Sequence, residues 1–409
     1  MKHIFYLLDG FSPLLLKSKY SSIYRNKYKK NNFINKIKKR SIFFENSYGY
    51  GETYSTTYSM MTGKDVHKSF CDMPEMIFSF QKSYNLASFY KSKNFQTIYY
   101  RNSSPNYPID GYYGRYNDSM TNDFDFVCLK KKNKSYDLKS FLLEKDILNK
   151  KKKDKNSFFF IHDMSFHDSA KVYSGNSKSH ISEADAISLD VKKNLNLLGY
   201  KKTVDTLFFL SDHGLTIKPF NEMHTNSRLD EQKYLNYYKN LFIDEKLKFT
   251  FFINSPEIKS YMMIKKYIIS TDVFKIVKDF NHSQRIQTFL KKIRNYTKNE
   301  ILISIKNAKG SPYGNFFYNF IYHFHFILIK NKLKFIYSYK HKDKYLLEKN
   351  DILYSLKDMK IEKKLYKKVN EYYGLKSLII RFIFFLISYV FILPTKIIKK
   401  VTKYFNVFI

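Results

Sequence analysis

The chain is poor in cysteine, and this scarcity sets the first limits on its class. Cys71 and Cys128 are its only cysteines among 409 residues. Two thiols provide neither a disulfide framework nor a zinc ribbon, and a reducing compartment is the simpler inference. The N-terminal apolar run, residues 4–8, is too short for the apolar region of a signal peptide. We therefore expect a cytoplasmic location.

Acidic residues are also scarce, with 36 Asp and Glu against 72 Lys and Arg, a formal net charge of +36. A field of this sign favours anionic partners, such as phosphate-bearing glycans or anionic lipid head groups. The lysines are scattered, and no nucleic-acid-binding motif accompanies them, so nucleic acid is not the expected partner. We predict an anionic, phosphate-bearing substrate, although solvated lysine-rich faces would give the same composition.

Apolar runs of membrane-spanning length are missing. The longest nearly apolar stretch, residues 378–393, has sixteen residues and is broken by Arg381 and Ser388, whereas a helix needs about 20 to span a bilayer. Beyond it, apolar residues follow helical spacing and lysines occupy the other side, a pattern typical of a helix in a membrane interface. We predict that residues 376–409 attach the chain, peripherally or monotopically, to the anionic inner face of a membrane. A helix docked on the protein and a true span remain alternatives.

Strand-like and helix-like patterns alternate over the first 280 residues. Short apolar runs predict strands at 4–8, 41–44, 97–100, 157–161, 206–210 and 250–254, and helical spacing occurs at 84–93, 183–198 and 270–280. This alternation predicts an α/β fold with a mostly parallel sheet and helices on both faces. From residue 281 the pattern changes to a hairpin (316–329 and 333–339), a strand (345–347) and a helix (361–373). We predict a catalytic domain at 1–280, a small α+β subdomain at 281–375 and the tail at 376–409.

Acidic residues follow three of the predicted strands. Asp9, Asp163 and Asp212 each come where an apolar run stops, and His213 follows the last of them. Because sites in open parallel sheets form at the carboxyl ends of the strands, we expect these side chains to converge. Carboxylate and imidazole ligands suit zinc, and carboxylate-rich sites also accept manganese or magnesium.

Several segments, in the same order, resemble the alkaline phosphatase and sulfatase superfamily. They are FYLLDG (5–10), YGETYSTTYSMMTGK (50–64), NLASFYKSKNFQTIYY (85–100), FFFIHDMSFHD (158–168), VDTLFFLSDHG (204–214), ISTDVFKIVKDF (269–280) and residues 332–359. The likeness covers roughly residues 1–360. It implies an alkaline phosphatase-like fold and a metal-dependent enzyme.

The resemblance also implies roles for individual residues. The nucleophile of the family precedes a Thr-Gly turn, and counting back ten residues from Gly63 identifies Thr53. Asp9, Asp212 and His213 would hold one metal ion, which also binds the Thr53 oxygen and lowers its pKa. One or two divalent ions are expected, zinc first, with manganese, magnesium or calcium as alternatives.

Further ligands would come from the segments around two other histidines. By the same resemblance, His167 and His224 would bind a second metal ion or the transferred phosphoryl group. Asp163 precedes His167 by four residues, as in the phosphodiesterase branch, whereas His162 precedes it by five, as in the phosphoethanolamine transferase branch. We predict that Asp163 binds a metal ion directly and that His162 contacts the ligands without binding the ion itself.

One departure from the pattern selects the chemistry. Sulfatases need Cys or Ser followed by Pro and Arg, so that the nucleophile can be oxidised to formylglycine. Thr53 cannot be oxidised in this way, and residues 54–57 contain neither Pro nor Arg. We therefore predict phosphoryl transfer or phosphodiester hydrolysis through a phosphothreonine, with a cell-envelope glycan or lipid as substrate. The alternatives are a sulfatase-like sulfuric ester hydrolase and a catalytically silent basic protein that binds membranes or polyanions.

Overall fold

The structure is a computed structural model, which describes about half of the chain. The described residues are 1–11, 13–16, 33–51, 53–65, 84–102, 123–129, 137–145, 156–166, 177–214, 247–283, 285–306, 324–330, 333–338, 343–347, 353–355, 363 and 367. The strands are β1 (Lys2–Leu8), β2 (Ile42–Tyr48), β3 (Gln96–Asn102), β4 (Phe126–Leu129), β5 (Ser157–Asp163), β6 (Thr206–Leu210), β7 (Phe251–Asn254), β8 (Met262–Ile269), β9 (Glu300–Lys306), β10 (Phe324–Lys330), β11 (Leu333–Ser338), β12 (Asp343–Leu347) and β13 (Leu353–Ser355). The helices are α1 (Phe33–Lys38), α2 (Thr53–Thr62), α3 (Leu86–Lys91), α4 (Leu138–Glu144), α5 (Ser177–Leu197), α6 (Ser270–His282) and α7 (Ile286–Tyr296), with a 3₁₀ turn at Pro13–Leu16.

The central sheet has eight strands in the order β4-β3-β5-β1-β6-β7-β2-β8. Strand β1 lies in the middle and pairs in parallel with β5 and β6. Within this sheet, β7 runs antiparallel to both of its neighbours, β6 and β2. The sheet is therefore mostly parallel, as the alternation of apolar runs and helical patterns predicted.

Helices cover both faces of this sheet. The α2 face is the side on which Phe5 and Leu7 of β1 pack together with residues of α2 and α6. The α5 face is the opposite side, where Ile4, Tyr6 and Leu8 pack together with α1, α4 and α5. Because successive side chains of a strand point to opposite faces, β1 is apolar on both sides. This explains its uninterrupted apolar run.

Helix α2 packs closely against α6 on the α2 face. Gly63 ends α2 with φ +70°, a backbone conformation that favours glycine. A Cβ at Gly63 would lie 3.0 Å from Cδ1 of Phe274 in α6. Val273 and Ile276 of α6 belong to the same buried cluster. Packing therefore stabilises a helix whose run of β-branched threonines has little helical propensity of its own.

A second sheet follows, with five strands in the order β13-β12-β11-β10-β9. The predicted hairpin is present as the antiparallel pair β10 and β11. Ile301 of β9 and Ile327 of β10 join the buried cluster of the α2 face. The domain boundaries at 280 and 375 stay predictions. Residues 376–409 and all but two residues of the predicted helix at 361–373 lie outside the described residues.

No helix in the described part of the chain combines the length and the apolar character that crossing a membrane requires.

Candidate metal centre

Two buried carboxylates meet at the carboxyl ends of β1 and β6. Asp9 follows β1 and Asp212 follows β6, and both are 0% exposed. Gly10 turns the chain with φ +73°, and its N–H donates to Oδ1 of Asp212 at 2.9 Å. The N–H of His213 donates to the same oxygen at 2.9 Å. The backbone thus holds Oδ1, while Oδ2 of Asp212 accepts no hydrogen bond from the residues that the structure describes.

The imidazole of His213 completes this cluster. Its Nδ1 lies 2.9 Å from the carbonyl oxygen of Gly214. Since a carbonyl only accepts, this contact assigns a proton to Nδ1, so Nε2 is the ring nitrogen that could bind a metal ion. Nε2 lies 3.3 Å from Oδ2 of Asp212 and 3.7 Å from Oδ1 of Asp9. One ligand atom from each residue lies within 4.8 Å of the other two.

These three side chains fit a divalent cation. Buried carboxylates are costly unless a positive charge or hydrogen-bond donors compensate them. Oδ2 of Asp212 has no hydrogen-bond partner among the described residues, and Nε2 of His213 lies 3.3 Å from it. Two carboxylates and one imidazole are ligands that suit zinc and that other divalent ions also accept. The geometry does not distinguish among these ions.

The hydroxyl of Thr53 lies beside the cluster. Thr53 is the first residue of α2 and is half-buried. Its Oγ1 donates to Oδ2 of Asp9 at 3.2 Å, and it also lies 3.2 Å from Nε2 of His213. The positive end of the helix dipole favours negative charge at this position. The predicted nucleophile and the predicted ligands Asp9, Asp212 and His213 are therefore brought together.

Gly49 permits the close packing that places α2 against the cluster. A Cβ at Gly49 would lie 2.7 Å from Cγ2 of Thr56 and 3.1 Å from the carbonyl oxygen of Asp212. The next residue, Tyr50, donates its N–H to Oγ1 of Thr56 at 3.1 Å. The sequence alone does not distinguish Gly49 from an ordinary turn glycine after a strand.

Strand β5 contributes its histidine to this site. His162 is 0% exposed, and its Nε2 lies 3.2 Å from Oδ2 of Asp9. Asp163 contacts Asp9 through the backbone, because its carbonyl oxygen accepts the N–H of Asp9 at 2.8 Å. The carboxylate of Asp163 is hydrogen-bonded elsewhere. The structure thus places His162 nearer to the cluster than the sequence analysis expected, and the ligand prediction for Asp163 stays a prediction.

One residue near the site, Arg101, was not predicted from the sequence, and two predicted residues, His167 and His224, are not described by the structure. Arg101, buried at the end of β3, pairs in register with His162 and donates to Sδ of Met164 at 3.2 Å. The apolar run of β3 gave no signal for this residue. His167 and His224 lie outside the described residues, so their predicted roles stay predictions.

Comparison with known proteins decides the family. A model of the sulfatase family matches residues 16–279, more than half of the chain. The chain belongs to the sulfatase family. Members of this family and its superfamily are hydrolases and transferases that act on sulfate or phosphate esters, and they use divalent metal ions. The chain is accordingly an enzyme of this kind, as the resemblance of its motifs predicted. A search of the curated proteins finds no match.

Solved structures support the fold. A phosphonate monoester hydrolase of Agrobacterium radiobacter aligns with a TM-score of 0.56 and 10% identity over 93% of each chain. The lipoteichoic acid synthase LtaP from Listeria monocytogenes aligns with a TM-score of 0.51 and 12% identity over 89% of this chain and 88% of that one. A protein from a Bacteroides thetaiotaomicron locus for glycosaminoglycan metabolism aligns with a TM-score of 0.55 and 12% identity, over 92% of this chain and 96% of that one. At these identities the likeness shows the fold alone, and it confirms the predicted alkaline phosphatase-like architecture.

Proposed function

We propose that this sulfatase-family chain transfers phosphoryl groups, or hydrolyses phosphodiesters, with Thr53 as its covalent nucleophile. One observation carries the proposal. The Thr53 hydroxyl lies 3.2 Å from both Asp9 and His213 at the start of α2. A threonine cannot become formylglycine, so the aldehyde chemistry of sulfatases is not open to it. An unmodified hydroxyl beside a cation site suits direct attack on phosphorus.

The cluster residues would each have a distinct role. Asp9, Asp212 and His213 would hold the divalent ion, which supplies positive charge that lowers the hydroxyl pKa and stabilises developing negative charge. His213 directs Nε2 at the cluster, because Nδ1–H is bound to the carbonyl of Gly214. The backbone N–H groups of Gly10 and His213 hold Asp212 in place.

The reaction would proceed in two displacements. In the first, Oγ1 of Thr53 forms a bond to phosphorus and gives its proton to Oδ2 of Asp9, the oxygen that already accepts it. The bond from phosphorus to the leaving oxygen breaks, and that oxygen takes a proton from water. In the second, water or an acceptor hydroxyl attacks phosphorus and gives its proton to the hydroxide that the first step left in solvent. The bond to Thr53 breaks, and Oγ1 takes its proton back from Oδ2 of Asp9.

The composition supports an anionic substrate. The net charge of +36 favours capture of a phosphate-bearing glycan or lipid. We assign the chemistry to residues 1–280, with 281–375 as an accessory subdomain. Residues 376–409 would hold the enzyme at the anionic inner face of a membrane, where an envelope glycan or lipid could be modified.

The test compares the turnover of three esters by metal-loaded protein. The esters are an aryl phosphodiester, an aryl phosphomonoester and an aryl sulfate, and the variant is Thr53→Val, which keeps the shape and removes the hydroxyl. Loss of a nucleophile should lower kcat by at least about 10³-fold. The matched control is Thr57→Val on the same helix. Oγ1 of Thr57 has no hydrogen-bond partner among the described residues, so its rate should stay near that of the parent.

Each outcome of this test has a clear meaning. Phosphodiester turnover that disappears in Thr53→Val supports the proposal, and adding candidate acceptor alcohols then separates transferase from hydrolase. Turnover of the sulfate ester alone would move the chain to the sulfuric ester hydrolases. Equal rates for Thr53→Val and its control would remove Thr53 as the nucleophile. A metal-loaded protein that turns over no ester would favour the silent binding protein.

A further inference from the structure

Two neighbouring residues at the end of β5 point to opposite faces of the sheet. His162 continues the series of Phe160, which packs on the α2 face, whereas Asp163 continues the series of Ile161, which packs on the α5 face. Asp9 contacts His162 and therefore lies with it on the α2 face. The carboxylate of Asp163 is thus separated from the cation cluster by the sheet itself.

On the α5 face, both oxygens of Asp163 are already bound. Oδ1 accepts hydrogen bonds from Nδ2 of Asn102 at 2.9 Å and from the N–H and Oγ of Ser165 at 3.0 and 2.5 Å. Oδ2 accepts from the hydroxyl of Tyr6 at 2.5 Å and from Nδ2 of Asn194 at 3.4 Å. These donors come from β3, β1, α5 and the turn after β5. The carboxylate therefore joins four parts of the fold and has no lone pair left over for a cation.

The residues that donate to Asp163 also form hydrogen bonds with one another and with the backbone just after β5. Oδ1 of Asn102 accepts the N–H of Met164 at 2.7 Å while its Nδ2 donates to Asp163. Asn194 donates to the hydroxyl of Tyr6 at 2.9 Å. Burial and the negative charge of Asp163 raise the pKa of Tyr6 well above its ordinary value, so this hydroxyl stays a donor. A fully bonded buried network of this kind fixes its members in one arrangement.

We propose that Asp163 is a positioning residue and not a metal ligand. Its network fixes the end of β5, and His162, the preceding residue, is thereby held against Oδ2 of Asp9, the oxygen that also accepts the Thr53 proton. Hydrogen bonds from such outer residues orient the side chains that bind a metal ion. The kinetic part of this inference rests on the proposed function, whereas the part that concerns metal binding does not.

The experiment counts metal ions and measures kinetics on the same variants. Asp163→Asn disturbs the network, Tyr6→Phe removes one donor and keeps the ring, and Asp212→Asn removes a ligand as the reference. Zinc per chain is measured by elemental analysis after dialysis, and the absorption spectrum of the cobalt-substituted protein reports the ligand set. We expect Asp163→Asn and Tyr6→Phe to bind as much zinc as the parent and to keep the cobalt band positions. Asp212→Asn should lose both.

The kinetic arm separates positioning from simple unfolding. We expect kcat to fall about 10- to 100-fold in Asp163→Asn with little change in KM, and to fall less in Tyr6→Phe. Loss of one zinc ion per chain in a folded Asp163→Asn protein would overturn the inference, as would an unchanged kcat in both variants. If Asp163→Asn does not fold, Tyr6→Phe and Asn194→Ala decide by the same criteria. Because the metal count does not depend on turnover, failure of the Thr53 mechanism would leave this test intact.

Discussion

Polar residues on the two faces of the central sheet stand at the same edge but have different hydrogen bonding. On the α2 face, Oδ2 of Asp212 is buried without a hydrogen-bond partner among the described residues, and Nε2 of His213 lies 3.3 Å from it. On the α5 face, five hydrogen bonds from four residues occupy both oxygens of Asp163. Buried polar atoms in native proteins are almost always hydrogen-bonded. The unpartnered oxygen of Asp212 therefore supports a cation site on the α2 face. The fully hydrogen-bonded carboxylate of Asp163 supports a structural role on the α5 face.

The most direct test of this difference is to remove the negative charge from Asp163 and from Asp212 in separate variants. In metal-free protein, Asp163→Asn should lower the free energy of unfolding by about 3 kcal/mol, because it disturbs hydrogen bonds to a buried charged group. Asp212→Asn should leave it unchanged or raise it, because it removes a buried charge that the ion would otherwise compensate. Urea denaturation with a chelator present measures both.

The control for this pair is Asp137→Asn. Asp137 caps α4 by accepting the N–H of Ser140 at 2.7 Å, and asparagine caps helices equally well. Its free energy of unfolding should therefore match that of the parent. A larger loss for Asp212→Asn than for Asp163→Asn would reverse the assignment of the two carboxylates.

His3, at the amino end of β1, is a second buried polar residue on the α2 face, and unlike Oδ2 of Asp212 its side chain has a hydrogen-bond partner. Nδ1 of His3 lies 3.0 Å from the hydroxyl of Tyr90. That hydroxyl accepts a hydrogen bond from Nδ2 of Asn281 at 2.8 Å. Burial lowers the pKa of His3 from 6.5 to about 4. Between these values the unfolded chain binds a proton that the folded chain does not, so stability falls as the pH drops from 6.5 to 4.

This titration should be measurable as a pH-dependent free energy of unfolding. Its full contribution is about 3 kcal/mol, present above pH 6.5 and lost at pH 4. His3→Phe, which keeps an aromatic ring among Tyr90, Phe95 and Phe208, should flatten the profile in this window. His282→Gln, at an exposed position, is the control and should keep most of the slope. A profile that is unchanged in His3→Phe would show that other groups cause the loss.

The sequence predicts the residues that follow strands better than those within them. Strands β1 and β6 are uninterrupted apolar runs with an acidic residue near their ends, so Asp9 and Asp212 could be assigned to one edge. Both faces of β5 are buried, so its side chains do not alternate between apolar and polar. The sequence therefore does not show which face His162 or Asp163 points to. The preference for Asp163 came from spacing in the chain, whereas the direction of a side chain depends on its position in the strand.

Edge and helix elements were harder to predict for other physical reasons. Strand β8 lies at the sheet edge, where Lys265 and Lys266 are exposed, so it lacks an apolar run. Helix α2 begins with a threonine-rich segment of low helical propensity, and its packing against α6 stabilises it. Such packing is visible only when both helices are in place.

Gly49 offers the finest test of the α2 face, because it decides how closely the loop after β2 approaches the cluster. In Gly49→Ala the new methyl group would meet Cγ2 of Thr56 at 2.7 Å and the Asp212 carbonyl at 3.1 Å, so α2 or the Asp212 segment must shift. We expect the free energy of unfolding to fall by about 1–2 kcal/mol. We also expect kcat to fall, because Thr53 lies on the same helix. Thr56→Ser combined with Gly49→Ala removes the clashing Cγ2 atom, and it should recover part of both losses. Parent-like kcat in Gly49→Ala alone would mean that the position of Thr53 does not depend on this contact.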